Sequence, residues 1–466
     1  MKNIVLLITD TFRYDNLGER ARRVVRTPEL DRFAATRATE IRGFAMGSFP
    51  TIPHRTDLAT GRLGWPHYGW QPIDESSPNH LARMLGEAGY VTQLICDCPH
   101  LFPARFDRAF DAAFQHRGQE FDRPLLHLND PIERVQPAKK TRSEPTFRGE
   151  RLPNIHRWTN RYYRLESETF AMRTAATAQR WLEENYKVGP FFLWADFFDP
   201  HEPWDPPEYL VRRHDPDYDG PPMLHPNYGA ASEYTPEELR NLWAHYAAES
   251  ELVDRALGRV LQKMDDLQLW DDTIVVVLSD HGMSLGEHDR CGKSNLSKRD
   301  KRFWPAYPEI SHSLFLIAGG EVPCGQSLDL IAQPMDIAPT LCELANVKVR
   351  PPVPFQGKSF AVAVIDGLSG HRDCAVTGEY YRSNRSTVPG RGTTPFLVTG
   401  KWGYAPVGAN GKPELYALNK DPLAEENVAG KHPRMIEQMQ RFFIEYLKEH
   451  EAPDCVITRW SQVASK

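Results

Sequence analysis

Apolar runs and amphipathic stretches take turns along this chain. Ile4–Thr9 is apolar and β-branched, the pattern of a strand buried on both faces. Thr27-Pro28-Glu29 predicts a helix start with proline in its first turn, continuing through Leu30 and Phe33. Ser77–Ala88 predicts a helix that stops at Gly89, and Tyr90–Ile95 the strand after it. Helical periodicity over Glu166–Tyr186 precedes the apolar run Phe191–Phe198. Glu237–Met264 predicts a long amphipathic helix, Thr273–Leu278 a central strand, Leu314–Ile317 a further strand, and Asp336–Ala345 a helix with Pro339 in its first turn. Strands and helices in alternation imply an α/β fold whose mostly parallel central sheet is covered by helices on both faces.

Two stretches interrupt the alternation. Residues 115–160 are polar, rich in Arg and Pro and weakly periodic, which fits either a lid over a site or a plain surface insertion. Residues 350–358 hold Pro351, Pro352, Pro354 and Gly357 and read as a linker. The chain of 466 residues then divides into a large α/β domain over 1–355 and a smaller C-terminal α+β subdomain over 356–466, closed by a helix from about Pro433 to His450.

Bulk properties narrow the partners. A net charge of −6 leaves room for a local anion pocket and gives no sign of nucleic acid or an anionic membrane as a partner. No run approaches the ~18 apolar residues of a membrane span. The apolar run after Met1-Lys2-Asn3 meets Asp10 too soon for a signal-peptide core. The seven cysteines, Cys96, Cys98, Cys291, Cys324, Cys342, Cys374 and Cys455, follow no disulfide framework, and Cys96 and Cys98 have no second pair to complete a zinc site. Reduced thiols without a leader predict a cytoplasmic protein.

Ligands of a parallel sheet bind beyond the carboxyl ends of its strands. Asp10 and Thr11 follow the first predicted strand, Asp97 and His100 the second, Asp199 and His201 the third, Asp280 and His281 the fourth. Any one of these is what a strand reaching solvent looks like; four strands delivering acid or imidazole to one edge point to a site. Asp280-His281-Gly282 sets a hard oxygen donor beside an imidazole, with glycine permitting close backbone approach, and Asp10 completes a mixed oxygen and nitrogen set for a divalent cation. Such donors suit Mn²⁺ or Zn²⁺, while a site richer in oxygen suits Ca²⁺ or Mg²⁺.

The segment Thr51-Ile52-Pro53-His54-Arg55-Thr56-Asp57-Leu58-Ala59-Thr60-Gly61 resembles the sulfatase signature, Cys-x-Pro-x-Arg followed by x-x-Leu-x-Thr-Gly, at every position but the first. Further motifs agree in order: the opening strand ending in Asp10, Thr27-Pro28-Glu29-Leu30-Asp31-Arg32, Asp199-Pro200-His201-Glu202-Pro203, Ser279-Asp280-His281-Gly282 on through Leu285-Gly286-Glu287-His288 to Lys293, Asp336-Ile337-Ala338-Pro339-Thr340-Leu341, and Glu414-Leu415-Tyr416 through Asp421-Pro422 to Asn427. The resemblance covers nearly the whole chain and implies the sulfatase branch of the alkaline phosphatase superfamily.

That resemblance implies one divalent metal ion held by Asp10, Asp280 and His281, with Thr51 Oγ on or beside it. Arg55 would hold and polarise the nucleophile. His201 and Lys293 would bind the substrate's non-bridging oxygens, one of them protonating the leaving group. Thr11 stands where the family often has a second acid; related phosphonate monoester hydrolases also lack that acid and pair Asp with His at the later position. Where many members carry Gly-Lys-Trp-His, this chain has Cys96-Asp97-Cys98-Pro99-His100, which leaves His100 as the candidate substitute for the missing lysine. Thr11, Asp97 and His288 are expected behind these groups, and His54 and His312 in structural roles. The Asp-x-x-x-His pair of two-metal relatives is absent, because Pro200 and Pro203 stand four residues after Asp196 and Asp199. A homo-oligomer would not be unusual for such a protein.

Most sulfatases convert the signature cysteine to formylglycine, whose hydrate expels sulfate by re-forming the aldehyde. Thr51 has no route to that aldehyde, so water must clear an ester of Thr51 by attacking its central atom. Phosphothreonine is open to metal-assisted hydrolysis of this kind, whereas a sulfated threonine would accumulate. The reading that follows is a metal-dependent hydrolase of small anionic phosphate or phosphonate esters, monoester or diester. Two alternatives stay open: a sulfatase lacking formylglycine, and a non-catalytic binding protein of the same fold. Retention of Asp10, Arg55, His201, Asp280, His281 and Lys293 in register argues against the last.

Overall fold

Among the described residues, eight strands form the central sheet of the computed structural model, in the order Gln326–Ala332, Ala38–Phe44, Phe315–Ala318, Thr273–Ser279, Asn3–Thr9, Phe191–Phe197, Val91–Cys96 and Ala112–Gln115. The structure describes residues 1–463 apart from 19, 21–22, 138–139, 141–144, 297–299 and 381–391. Every neighbouring pair is parallel except the two made by Phe315–Ala318, so the mostly parallel sheet expected from the alternation is what the chain builds. Asn3–Thr9 sits centrally, with Thr9 beside Phe197 on one flank and Ser279 on the other.

Alternate residues of a strand face opposite ways, and here both ways are buried. Ile4, Leu6 and Ile8 pack with Trp194, Val276, Leu85 and Leu341 on one face. Val5 and Leu7 pack with Leu193, Val277, Leu252 and Val260 on the other. Each such aliphatic side chain contributes about 2 kcal/mol of burial. The helix Pro236–Asp266 covers the second face, begun by proline at its first turn and a capping box in which Glu238 N donates to Thr235 Oγ1 at 3.2 Å and Thr235 N to Glu238 Oε2 at 2.9 Å.

Two predicted helices begin late. The one expected from Ser77 is Leu81–Glu87, because Pro78 holds Ser77 extended and His80 Nδ1 instead accepts the first free amide, Ala82 N, at 3.2 Å. The one expected from Glu166 opens as a 3₁₀ turn, Glu166–Glu168, before the helix Phe170–Asn185. Within 115–160 lies a helix, Leu152–Thr159, and two of the segment's described residues bond the chain beyond Phe191–Phe197: Gln119 Nε2 donates to Asp199 Oδ1 at 2.6 Å and Gln136 Nε2 to the His225 carbonyl at 2.7 Å. Among the described residues no helix is long and apolar enough to cross a membrane.

Past residue 356 the chain adds the strands Cys374–Glu379, Phe396–Thr399, Gly403–Ala405 and Glu414–Tyr416, with Met439, Phe443 and Leu447 of helix Pro433–Glu449 packed in the same core as Val376 and Leu397. The fifth strand of this sheet is Ser48–Phe49, which pairs in parallel with Gly378–Glu379. The smaller sheet thus reaches back to the residues just before Thr51.

Candidate active site

The parallel strands bring their carboxyl ends to one edge, and the edge is where the predicted chemistry gathers. Asp10, Asp280 and His281 are fully buried and offer ligand atoms all within 4.8 Å of one another. His281 Nδ1 lies 3.0 Å from the Gly282 carbonyl, to which it donates, and this leaves Nε2 as the lone pair, 3.7 Å from Asp10 Oδ1 and from Asp280 Oδ2. Burial, with Lys293 nearby, pushes this imidazole down to about 3, so it is neutral. Asp10 Oδ2 and His281 Nε2 are buried without any hydrogen-bond partner. Two carboxylates and an imidazole fixed through its other nitrogen are a donor set that fits a divalent cation.

The glycine after His281 does what its position suggested. A Cβ on Gly282 would stand 2.2 Å from the Glu309 carbonyl oxygen, while Gly282 N donates to the Ile310 carbonyl at 2.9 Å. Gly282→Ala is therefore expected to cost about 3 kcal/mol and to release divalent metal. Thermal melts and metal analysis of the dialysed protein check this; a variant as stable and as metal-loaded as wild type would refute the tight approach.

Thr11 is buried in the left-handed region, φ 64°, a costly conformation for a β-branched residue. Its hydrogen bonds account for it: Oγ1 donates to Asp10 Oδ1 at 2.8 Å, N donates to Asp280 Oδ1 at 2.9 Å, and its carbonyl accepts from Tyr246 at 2.9 Å. Thr11 thus ties the two carboxylates together where the family often has another acid.

Thr51 is the first residue of the helix Thr51–Thr60, all ten of whose residues are buried. His54 and Arg55, three and four positions on, share its face. Arg55 grips Asp196 with two bonds of 2.9 Å, donates to Asp280 Oδ2 at 2.5 Å and to the Thr51 carbonyl at 3.3 Å, and stands 3.4 Å from Asp10 Oδ2. Burial works against its charge, and Asp196, Asp280 and Asp10 more than offset that, raising the guanidinium well above its usual range. Asp196 was missed as a site residue; the signal was a lone acid inside the apolar run Phe191–Phe197.

The helix is anchored by Asp57, which accepts from Ser48 N at 2.8 Å, Ser48 Oγ at 3.0 Å and Gly64 N at 2.7 Å. Burial outweighs these donors and pushes its carboxyl up to about 7. A folded pKa above the ordinary value means the folded state binds this proton more tightly, so the associated stability is full below about pH 4 and is lost as pH rises through about 7. The stability gap between wild type and Asp57→Asn, from urea melts between about pH 5 and about pH 8, is expected to narrow as pH rises; a constant gap would count against a protonated Asp57.

Lys293 reaches the site because the chain turns back after Gly282. Ser284–Leu285 pairs antiparallel with Arg290–Gly292, returning the lysine beside its starting strand. Lys293 Nζ, buried, donates to Thr11 Oγ1 at 3.1 Å and to Glu202 Oε2 at 3.4 Å. His201 Nδ1 lies 2.7 Å from the Glu202 carbonyl, to which it donates, and the ring stacks on Phe198 at 4.1 Å between centroids.

The remaining expectations spread outward. His100 sits one ring away, its centroid 5.5 Å from that of Phe198, with Nε2 3.0 Å from Glu120 Oε2 and Trp70 edge-on at 4.8 Å. Asp97 accepts from Phe198 N at 2.5 Å and Thr174 Oγ1 at 2.8 Å, fixing the loop that carries His201. His288 bonds Glu309 at 3.0 Å and the Ala424 carbonyl at 2.8 Å. His312 bonds the Arg42 carbonyl at 2.6 Å and stacks on Tyr14. His54 has no hydrogen-bond partner at either ring nitrogen, and burial, Arg55 and His281 keep it neutral. Neither Glu202 nor Glu120 carried a signal in the sequence, one standing at a free position of its motif and the other in the aperiodic insertion.

The chain matches the Sulfatase family model over residues 2–347. Arylsulfatase K of Xenopus laevis is 27% identical over 216 residues, 45% of this chain and 37% of that protein, so the match spans little more than a third of that relative. The arylsulfatase of Clostridium perfringens is 24% identical over 484 residues, covering 96% of this chain and 95% of that protein. Among solved structures, the phosphonate monoester hydrolase of Agrobacterium radiobacter superposes with a TM-score of 0.71 at 22% identity, over 97% of this chain and 96% of that one. At such identity the superposition speaks for the fold. The matched residues take in every strand of the central sheet together with Asp10, Thr51, Arg55, His201, Asp280, His281 and Lys293, and the chain belongs to the sulfatase family of the alkaline phosphatase superfamily, hydrolases of ester bonds.

Proposed function

We propose that this enzyme is a metal-dependent hydrolase of phosphate or phosphonate esters, working through a covalent phosphothreonine on Thr51. The observation that carries the reading is a threonine at the family's nucleophile position, heading the buried helix whose Arg55 bonds the carboxylates of the Asp10–Asp280–His281 group. A threonine ester of phosphorus can be cleared by water; a threonine sulfate has no aldehyde to re-form.

A divalent ion held by Asp10, Asp280 and His281 would supply positive charge that lowers the pKa of a neighbouring hydroxyl and offsets charge on the transferring group. Thr51 Oγ, its proton lost to solvent, attacks phosphorus in line as the bond to the leaving oxygen breaks. Arg55, His201 and Lys293 stabilise the equatorial oxygens, each positioned donor contributing about 3 kcal/mol, or about 100-fold in rate. With His201 Nδ1 committed to the Glu202 carbonyl, its Nε2 is the nitrogen free to pass a proton to the leaving oxygen. Water then attacks phosphorus and restores Thr51.

The test compares p-nitrophenyl phosphate, bis-p-nitrophenyl phosphate, the p-nitrophenyl ester of phenylphosphonate and p-nitrophenyl sulfate, each with Mn²⁺, Zn²⁺, Mg²⁺ or Ca²⁺. Turnover of a phosphorus ester with little on the sulfate is expected. Sustained turnover of the sulfate would replace this reading with a sulfatase free of formylglycine, which the arylsulfatase relatives favour; silence on all four would favour a binding protein.

A further inference from the structure

The glutamate beside His201 lies where the substrate-binding cations meet. Glu202 is 1% exposed; its Oε2 stands 3.4 Å from Lys293 Nζ and 3.6 Å from His201 Nδ1, and its Oε1 accepts from the Tyr228 hydroxyl. Burial on its own would raise this carboxyl, but His201, Lys293, His225 and the Tyr228 hydrogen bond hold it well below the usual carboxylate range. Lys293 therefore enters the pocket with its charge already matched.

The charges of the pocket can be counted. Asp10, Asp196, Asp280 and Glu202 bring four carboxylates, Arg55 and Lys293 two cations, and His201 adds a third positive charge while it carries the proton for the leaving oxygen. A divalent ion would bring that set to neutrality, or to a single positive charge with His201 protonated, before any substrate arrives. Beyond the one negative charge that a protonated His201 balances, a further charge enters among buried, poorly screened groups with no cation waiting for it. Were Glu202 uncharged, Lys293 would be free to balance one.

We propose that Glu202 sets the charge the pocket accepts, so that singly charged esters (a phosphodiester, a phosphonate monoester, a sulfate monoester) are taken in preference to the doubly charged phosphate monoester. This rests on the reading of the pocket as an anionic-ester site and holds whichever central atom is attacked. Glu202 acts on the substrate through Lys293 and His201, as a positioning and selecting residue.

The test measures binding by calorimetry in metal-loaded Thr51→Ala protein, which cannot turn ligand over through Thr51. Phenyl sulfate and phenyl phosphate share a shape and, at about pH 8, differ by one charge. The sulfate is expected to bind at least ~10-fold tighter, and adding Glu202→Gln should tighten phosphate by at least ~10-fold while moving sulfate by less than ~3-fold. Glu202→Asp, which keeps the charge, should keep the preference and serves as the reference if Glu202→Gln folds poorly. Equal binding of both ligands with Glu202 in place, or a gap that Glu202→Gln leaves unchanged, overturns the proposal and gives Glu202 a purely structural role. Binding of neither ligand overturns the ester-site reading beneath it, whereas the turnover panel bears on Thr51 and the central atom alone, so the two readings fail separately.

Discussion

Thr51→Ala is expected to lower kcat on the best phosphorus ester by about 10⁴-fold or more, with metal content unchanged. Covalent catalysis splits one hard displacement into two easier ones, and only the Thr51 hydroxyl heads the helix that Arg55 joins to the carboxylate group. Asp10, Asp280 and His281 alone bring together three candidate ligand atoms, so the ion-binding group is expected to survive the substitution. Thr51→Ser keeps the hydroxyl and is expected to retain measurable turnover. Acid quench during turnover, followed by peptide mass analysis, should find a phosphoryl group on the peptide containing Thr51 in wild type and none in the alanine variant. An alanine variant within ~10-fold of wild type would mean that water attacks the substrate directly.

Arg55→Met should be the most destabilising single change in the site. The guanidinium is fully buried and ion-paired to Asp196, Asp280 and Asp10. Removing one side of a buried charge network costs about 3–5 kcal/mol, because the partners stay buried without compensation. The same change removes a donor to the transferring group, a further loss of about 100-fold in kcat/KM. Arg55→Lys separates the two effects. It keeps the charge and so much of the stability, but a single ammonium cannot reproduce the two-point grip on Asp196, and the rate should stay low. Denaturant melts alongside kcat/KM check this; an Arg55→Met protein as stable as wild type would show that the carboxylates are neutralised by other means.

What the sequence made legible follows from how completely an element is buried. Asn3–Thr9 and Thr273–Ser279 are buried throughout and read as unbroken apolar runs. Ala38–Phe44 and Gln326–Ala332 lie toward one margin of the sheet and carry Glu40, Arg42, Ser327 and Asp329, so their pattern is diluted and neither was predicted. Ser48–Phe49 is two residues long, below the reach of any periodicity. In the site, Asp10, Asp280 and His281 were visible because each follows an apolar strand, where a polar residue has a reason to be. Asp196 was hidden inside such a strand, facing the site by alternation. Glu202 and Glu120 were hidden because their roles depend on tertiary neighbours, Lys293 and His100, that no local spacing relates to them.

The pairing of Ser48–Phe49 with Gly378–Glu379 has a bearing on the life of the protein before it is finished. A ribosome makes the chain from its amino end, so the carboxylates, the imidazole and the lysine all exist before the strand that steadies the backbone ahead of Thr51 has been made. Asp57 already ties the Thr51 helix to Ser48 and Gly64 within that early stretch, and the late strand adds the pairing of Ser48–Phe49 with Gly378–Glu379. The backbone ahead of Thr51 thus takes its last pairing from sequence made long after the residues it carries.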